Sequence, residues 1–370
     1  MLKLGAMLRS PRDSSRRRSP ALLAVLTAVL ALLVPAAADA KVPKGFFGMS
    51  AQLPNQRDFE GMQQAGLGTY RFGVSWRGVQ STRKGPYTWG GFDSSVREAA
   101  DHGMQPAPVL FGTPRFVHRA QGKVYPPTSS EDLKQWHRFV AAAARRYGPG
   151  GEFWVQNPLV RRIPIRSWII WNEQNAKPYW NPRPDPRQYA RLVEVSDDAL
   201  AGVDPGARIV LGGIFGYPQA SSSISASRFL TKLYRVRGIE RHFEAINLHP
   251  YGSGVATVRT QVSKARSVLR KVGDSRAEIV IGELGWASSG PTRSPSVVGR
   301  RGQARRIREG LNLLIRNRDR WNISGVYVYL WRDFNGETTC LWCPRAGMVT
   351  KRHRAKPALR ALKRVIRANR

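Results

Sequence analysis

Residues 166–173 read Arg-Ser-Trp-Ile-Ile-Trp-Asn-Glu. Four apolar side chains follow one another without a polar break, and an amide and a carboxylate close the run. A strand with one wet face alternates apolar and polar residues, whereas a strand covered on both faces reads as a near-continuous apolar run. The stretch 166–172 therefore predicts a strand buried inside an α/β sheet. Helical patterns flank it at 131–147 and 187–202, where spaced apolar positions share the chain with a polar face.

The same grammar extends in both directions. Upstream, strands are predicted at 46–51 (FFGMSA), 69–76 (TYRFGVSW) and 105–112 (QPAPVLFG); downstream, at 207–213 (ARIVLGG), 243–249 (FEAINLH), 278–284 and 325–331 (GVYVYLW). Helical patterns at 56–65, 92–102, 226–237, 257–272, 300–318 and 355–368 separate or follow them. Eight strand–helix alternations predict a closed (β/α)₈ barrel, the TIM barrel, in the α/β class. An open doubly wound sheet is the alternative, but no Gly-rich phosphate fingerprint follows the first strand.

The chain has 370 residues, 42% hydrophobic and 23% charged, an ordinary globular composition. Sixty Lys and Arg against 25 Asp and Glu give a formal charge of +35, and 47 of the sixty are Arg. Such a balance permits nucleic acid, an anionic polymer or an acidic membrane face as partner and says nothing about fold. Two Cys exclude a disulfide-stapled miniprotein and a four-Cys zinc site. Residues 1–40 read as an export signal: Lys3, Arg9, Arg12, Arg16, Arg17 and Arg18 precede an apolar run at Ala21–Val34. Pro35 then breaks the run, and Ala38-Asp39-Ala40 offers a peptidase site after Ala40. The expected mature chain, 41–370, is one domain. It keeps 54 basic against 23 acidic residues, or +31, so the charge belongs to the folded part. No later run is long enough to span a membrane. A secreted or wall-associated monomer is expected, without nucleic acid as partner and with anionic wall polymers as candidates for the basic surface.

In a barrel of this type the chemistry sits at the C-terminal ends of the strands. Those ends carry Arg71 and Trp76 on the second strand, Trp171, Asn172 and Glu173 on the fourth, and His249 and Tyr251 on the sixth. The seventh ends in Glu283 with Trp286 beyond, and the eighth in Trp331. Two carboxylates thus stand among aromatics, amides and an arginine. Glycoside hydrolysis needs such a pair, one acid to protonate the leaving oxygen and one carboxylate to attack or stabilise the sugar centre.

Along nearly the whole expected mature chain the sequence resembles the retaining glycoside hydrolases of clan A, most of all families 39 and 5. The likeness runs from Ala65-Gly66 through Arg71, Trp76, Gly85, Trp89 and Asp93 to Pro114. It continues through Tyr147-Gly148, Trp171-Asn172-Glu173, Trp180 and Asp204-Pro205. It ends with Glu283-Leu284-Gly285-Trp286, Tyr327 to Trp331 and Lys356-Pro357-Ala358. The clan usually has Pro after the acid/base, where this chain has Gln174. By this resemblance Glu173 is the general acid/base and Glu283 the nucleophile, and Asn172 bonds the sugar 2-hydroxyl. Tyr251 holds a nucleophile oxygen, Arg71 keeps Glu283 ionised, and His249 and Trp331 wall the site. Cofactors and metals are not called for, and the substrate is a β-linked carbohydrate.

Each of these residues also has a structural reading. A Glu closing a strand is often a surface charge or a helix cap, and Glu283 could be a barrel-end partner of an arginine. His249 and Tyr251 could be packed core groups. Trp180, in the loop after the fourth strand, is as readily a sugar platform as a packed ring, whereas Trp171, Trp154 and Trp168 read as core. Cys340 and Cys343 form a CxxC in a polar loop without the strand-to-helix setting of a redox motif, which points to a small structural disulfide in an exported protein. The Arg-rich helices 300–318 and 355–368 read first as a solvated outer face.

Overall fold

The computed structural model of the protein describes residues 41–119, 124–218, 220–291, 293–336 and 340–370. The export signal read at 1–40 lies outside the described residues. Eight strands form one closed parallel barrel in sequence order: β1 (Phe47–Ser50), β2 (Thr69–Ser75), β3 (Gln105–Phe111), β4 (Ser167–Asn172), β5 (Arg208–Phe215), β6 (Ala245–His249), β7 (Glu278–Leu284) and β8 (Ile323–Tyr329). A principal helix follows each: α1 (Gln56–Gln64), α2 (Gly90–Asp101), α3 (Ser130–Tyr147), α4 (Pro186–Ala201), α5 (Ala226–Leu233), α6 (Val255–Lys271), α7 (Gly299–Arg316) and α8 (Pro357–Ala368). The TIM barrel expected from the alternation is the fold. Among the described residues, no helix is long and apolar enough to cross a membrane.

Local chemistry accounts for the helices. The Ser129 hydroxyl accepts the Asp132 N–H at the start of α3, Glu131 and Asp132 face the positive end of its dipole, and Arg145 and Arg146 the negative end. Its buried stripe runs Leu133, Trp136, Phe139, Val140, Ala143, Ala144 and Tyr147. At α1, Asn55 and Asp58 form a reciprocal capping box.

The core has two shells. Ala107, Val109, Ile169, Val210, Ala245 and Val280 fill the barrel interior with the Tyr327 ring, while the larger apolar cluster lies between strands and helices. Side chains on a strand alternate between these shells. Two breaks in the alternation decide where the chemistry sits. On β4, Ile169 faces inward, yet Trp171 joins Ile170 in the outer shell, because Trp171 has a left-handed backbone with φ of 71°. That turn brings the next residue, Asn172, inward. On β7, Ile281 pairs with Val326 and Leu284 with Val328, three steps against two. This bulge leaves Ile281 and Leu284 both in the outer shell and aims Glu283, between them, into the mouth.

β8 ends at Tyr329, two residues before the sequence pattern suggested. The side chain closing that strand at the mouth is therefore Tyr329, and Trp331 falls beyond the strand.

Candidate active site

Arg71 organises the mouth. Rising from β2 and 4% exposed, its guanidinium donates to Glu283 Oε1 at 2.7 Å, Asn172 Oδ1 at 2.9 Å and Ser50 Oγ at 3.0 Å. The Nη2 nitrogen that bonds Asn172 also lies 3.3 Å from His249 Nε2. Guanidinium nitrogens only donate, so Nε2 must accept, and the imidazole proton resides on Nδ1. Nδ1 then donates to Glu173 Oε1 at 2.8 Å. The fully buried His249 thereby links the acid side of the site to the arginine that holds the other carboxylate.

Glu283 receives a second donor, the Tyr251 hydroxyl, at 2.5 Å on Oε2. Burial works against its ionisation, but His249, Arg71 and the Tyr251 hydroxyl together outweigh it, and its pKa lies below the ordinary carboxylate value. Tyr251 is driven the other way, first by burial and then by the Glu283 charge, so its hydroxyl stays protonated as a donor.

Glu173 stands on strained backbone, with φ of 47° two residues after the left-handed Trp171. Such conformations cost about 1–3 kcal/mol each and persist where the surroundings over-determine them. Here the Glu173 N–H donates to Gly213 O at 2.7 Å, and the Gln174 amide donates to Gly212 O. Asn175 bonds both Phe215 and Ile224 backbone groups. Gln174, where the clan usually has Pro, is thus a tether onto β5.

Glu173, His249 and Glu283 each offer an atom within 4.8 Å of the others'. The triangle is a possible cation cradle by geometry alone. Its nitrogen, however, carries the proton on the side facing the carboxylates, and Arg71 brings positive charge to the same place. The donor set suits a proton and hydrogen-bond network better than a metal ion.

The structure brings Arg71, Asn172, Glu173, His249, Tyr251 and Glu283 together. It does not bring the four tryptophans read as sugar contacts, and those assignments are corrected. Trp76 opens a one-turn helix after β2 and is fully buried against Trp136 and Phe139, its N–H bonded to Gln80. Trp180 packs between Trp171 and Tyr189, with its N–H on Gln188. Trp286 is buried against Gly310 of α7 and donates to Gly252 O. Trp331 lies over Gly61 of α1. All four follow strand ends, where the chain has already turned toward the strand–helix layer.

Pattern reading missed Tyr179, Tyr329, Gln52 and Trp342. The Tyr179 hydroxyl is pushed up, first by the charge of Glu173 and then by burial and the charge of Glu283. Tyr329 is raised by burial and then by Glu283, and its hydroxyl accepts from Gln52 at 3.1 Å. The alternation Tyr327, Tyr329 was a usable signal for the latter; Tyr179, in an irregular loop, offered none. Cys340 and Cys343 are joined by a disulfide. Between them stands half-buried Trp342, whose ring lies 4.8 Å from Tyr251 and 5.9 Å from Tyr329, centroid to centroid.

No protein-family model and no curated protein matches the chain. Among solved structures it is similar to a family 39 glycoside hydrolase from the gut symbiont Bacteroides cellulosilyticus WH2, at 17% identity and TM-score 0.65, over 89% of this chain and 64% of that one. It is also similar to a monomeric beta-xylosidase from Caulobacter crescentus CB15, at 15% identity and TM-score 0.66, over 88% and 69%. A third is a GH5_18 protein from Streptomyces cattleya solved with Manβ1-4GlcNAc, at 14% identity and TM-score 0.60, over 87% and 80%. At these identities the likeness shows the shared barrel fold. The chain spans less than two thirds of the gut-symbiont protein.

Proposed function

We propose that the protein is a retaining glycoside hydrolase acting on a β-linked oligo- or polysaccharide. The observation that carries this reading is the carboxylate pair: Glu173 and Glu283, on strands three apart in the barrel, present oxygens within 4.8 Å of each other. Retaining enzymes hold their two carboxyl groups about 5–5.5 Å apart, whereas inverting enzymes leave about 6.5–9.5 Å for a water. The glycoside hydrolases of similar fold add support.

The two carboxylates differ in their partners. Glu283, held ionised by Arg71 and Tyr251, attacks the anomeric carbon and forms a glycosyl-enzyme. Glu173 protonates the departing glycosidic oxygen and then takes a proton from the water that attacks the intermediate. His249 Nδ1–H steadies the Glu173 carboxylate in the second role. Asn172, oriented by Arg71, presents its amide to the sugar. With the export signal read in residues 1–40, the reaction takes place outside the cytoplasm.

The test is stereochemical. Proton NMR of fresh product from a β-glycoside should show the β-anomer before mutarotation. An α-anomer refutes retention, and absence of turnover on a broad panel of β-linked glycans refutes the hydrolase reading in favour of a carbohydrate-binding barrel.

A further inference from the structure

We infer that Trp342 is a sugar-stacking wall beside Glu283 and that the Cys340–Cys343 disulfide holds it there. The inference rests on the glycosidase reading for its ligand class, a pyranose ring of a β-linked oligosaccharide.

Carbohydrate rings present C–H faces that pack on aromatic planes, and tryptophan, when open to the mouth, offers the largest such plane. All eleven tryptophans lie among the described residues, and nine are buried. Of the two half-buried ones, Trp89 packs at the start of α2 among Phe92, Phe139 and Tyr147. Trp342 touches the two tyrosines at the nucleophile: edge-on to Tyr251, which donates to Glu283, and to Tyr329 at the end of β8. It is therefore one ring away from the reacting carboxylate and only half covered by protein.

A loop residue serves as a wall only if its backbone is fixed. The disulfide closes the chain immediately around Leu341 and Trp342. Just beyond it, Arg345 O accepts from the Ser288 N–H and from the buried Lys356 ammonium. The Arg345 guanidinium returns to Phe334 O and Pro344 O. Leu341, 51% exposed, bears none of this anchoring on its side chain, which leaves the indole as the group that the closure positions.

The experiment uses purified chain 41–370 with a panel of aryl β-glycosides and β-linked tetrasaccharides (xylo-, cello- and manno-series). Trp342→Ala should raise KM for the tetrasaccharides about fivefold to tenfold with kcat within about twofold, and Trp342→Phe should recover most of the loss. Because the chain has only two Cys, dithiothreitol acting on the wild type reports on this one bond; it should raise the same KM and leave that of Trp342→Ala unchanged. Calorimetric titration of the tetrasaccharides onto Glu283→Ala, with and without Trp342→Ala, reads binding apart from turnover. Equal KM and equal affinity with and without the indole overturn the wall while leaving the hydrolase standing. Affinity lost with the indole, in a protein that turns nothing over, upholds the wall and overturns the hydrolase. A panel on which nothing binds overturns both.

Discussion

Replacing Arg71 by Met should move the acid limb of the pH–rate profile upward and weaken the stability that Glu283 contributes above its titration. The guanidinium and Glu283 form a buried pair at 2.7 Å, with side chains 5% and 14% exposed. Removing one member of such a pair costs about 3–5 kcal/mol, because the remaining charge is left desolvated. Tyr251 still donates to the other oxygen, so the lower end applies. The Glu283 pKa should rise accordingly, because its charged form loses the guanidinium. In the wild type the Glu283 pKa is depressed, and its contribution to stability is present above the unfolded carboxylate value of about 4.3 and lost as pH falls through the folded one. In Arg71→Met the folded pKa moves upward, so the stability that Glu283 contributes above about 4.3 shrinks and its loss on acidification begins at higher pH. Thermal denaturation across pH 3–8 reads this without any substrate, and kcat/KM on an aryl β-glycoside reads the acid limb. Arg71→Lys, which keeps a charge but loses the forked contacts to Asn172 and Ser50, should fall between. An acid limb shifted by less than about half a unit, with an unchanged stability slope, would refute the assignment of Arg71 as the group that keeps Glu283 ionised.

Three further outcomes are expected. Glu283→Ala should lose turnover on every glycoside, whereas Glu173→Ala should be slow on natural glycosides and recover on activated aryl leaving groups; equal losses on both, measured by initial rates, count against Glu173 as the acid. Lys356→Met should leave Asp333 buried without its 2.7 Å partner and lower Tm by on the order of 5–10 °C in a calorimetric scan, since breaking such a pair costs about 3–5 kcal/mol. On α7 and α8, exposed Arg300, Arg301, Arg305, Arg308, Arg360, Arg364 and Arg367 make a basic outer face. Retention on anionic cell-wall polymer should therefore fall steeply between about 0.15 and 0.5 M sodium chloride, as the screening length shrinks from about 8 to about 4 Å, while turnover of a neutral oligosaccharide should not; salt-independent retention excludes these arginines as the cause.

The sequence by itself determined the barrel. Strand–helix alternation is written in local hydrophobic periodicity, and eight units of it leave little architecture but closure; the predicted and observed strands agree to within about two residues. It also placed Arg71, Asn172, Glu173, His249, Tyr251 and Glu283 at one end of the barrel, because strand termini are read from the same pattern. Only the tertiary structure decided which way those side chains point. Strict alternation from Ile169 would have put Trp171 in the mouth and Asn172 outside, and alternation from Val280 would have turned Glu283 into the helix layer. A left-handed residue on β4 and a bulge on β7 reverse both assignments. Neither is visible in composition: the bulge is a register shift against β8, and the turn after Trp171 is held by bonds from Glu173 and Gln174 onto β5. The tryptophans failed for the same reason: their ring chemistry suits a sugar or a core equally, and which one they meet depends on the helix that packs over them. Trp342 became legible only when β8 was seen to end at Tyr329 and the disulfide to fold the following loop back onto Tyr251, a contact between residues 91 apart in the chain.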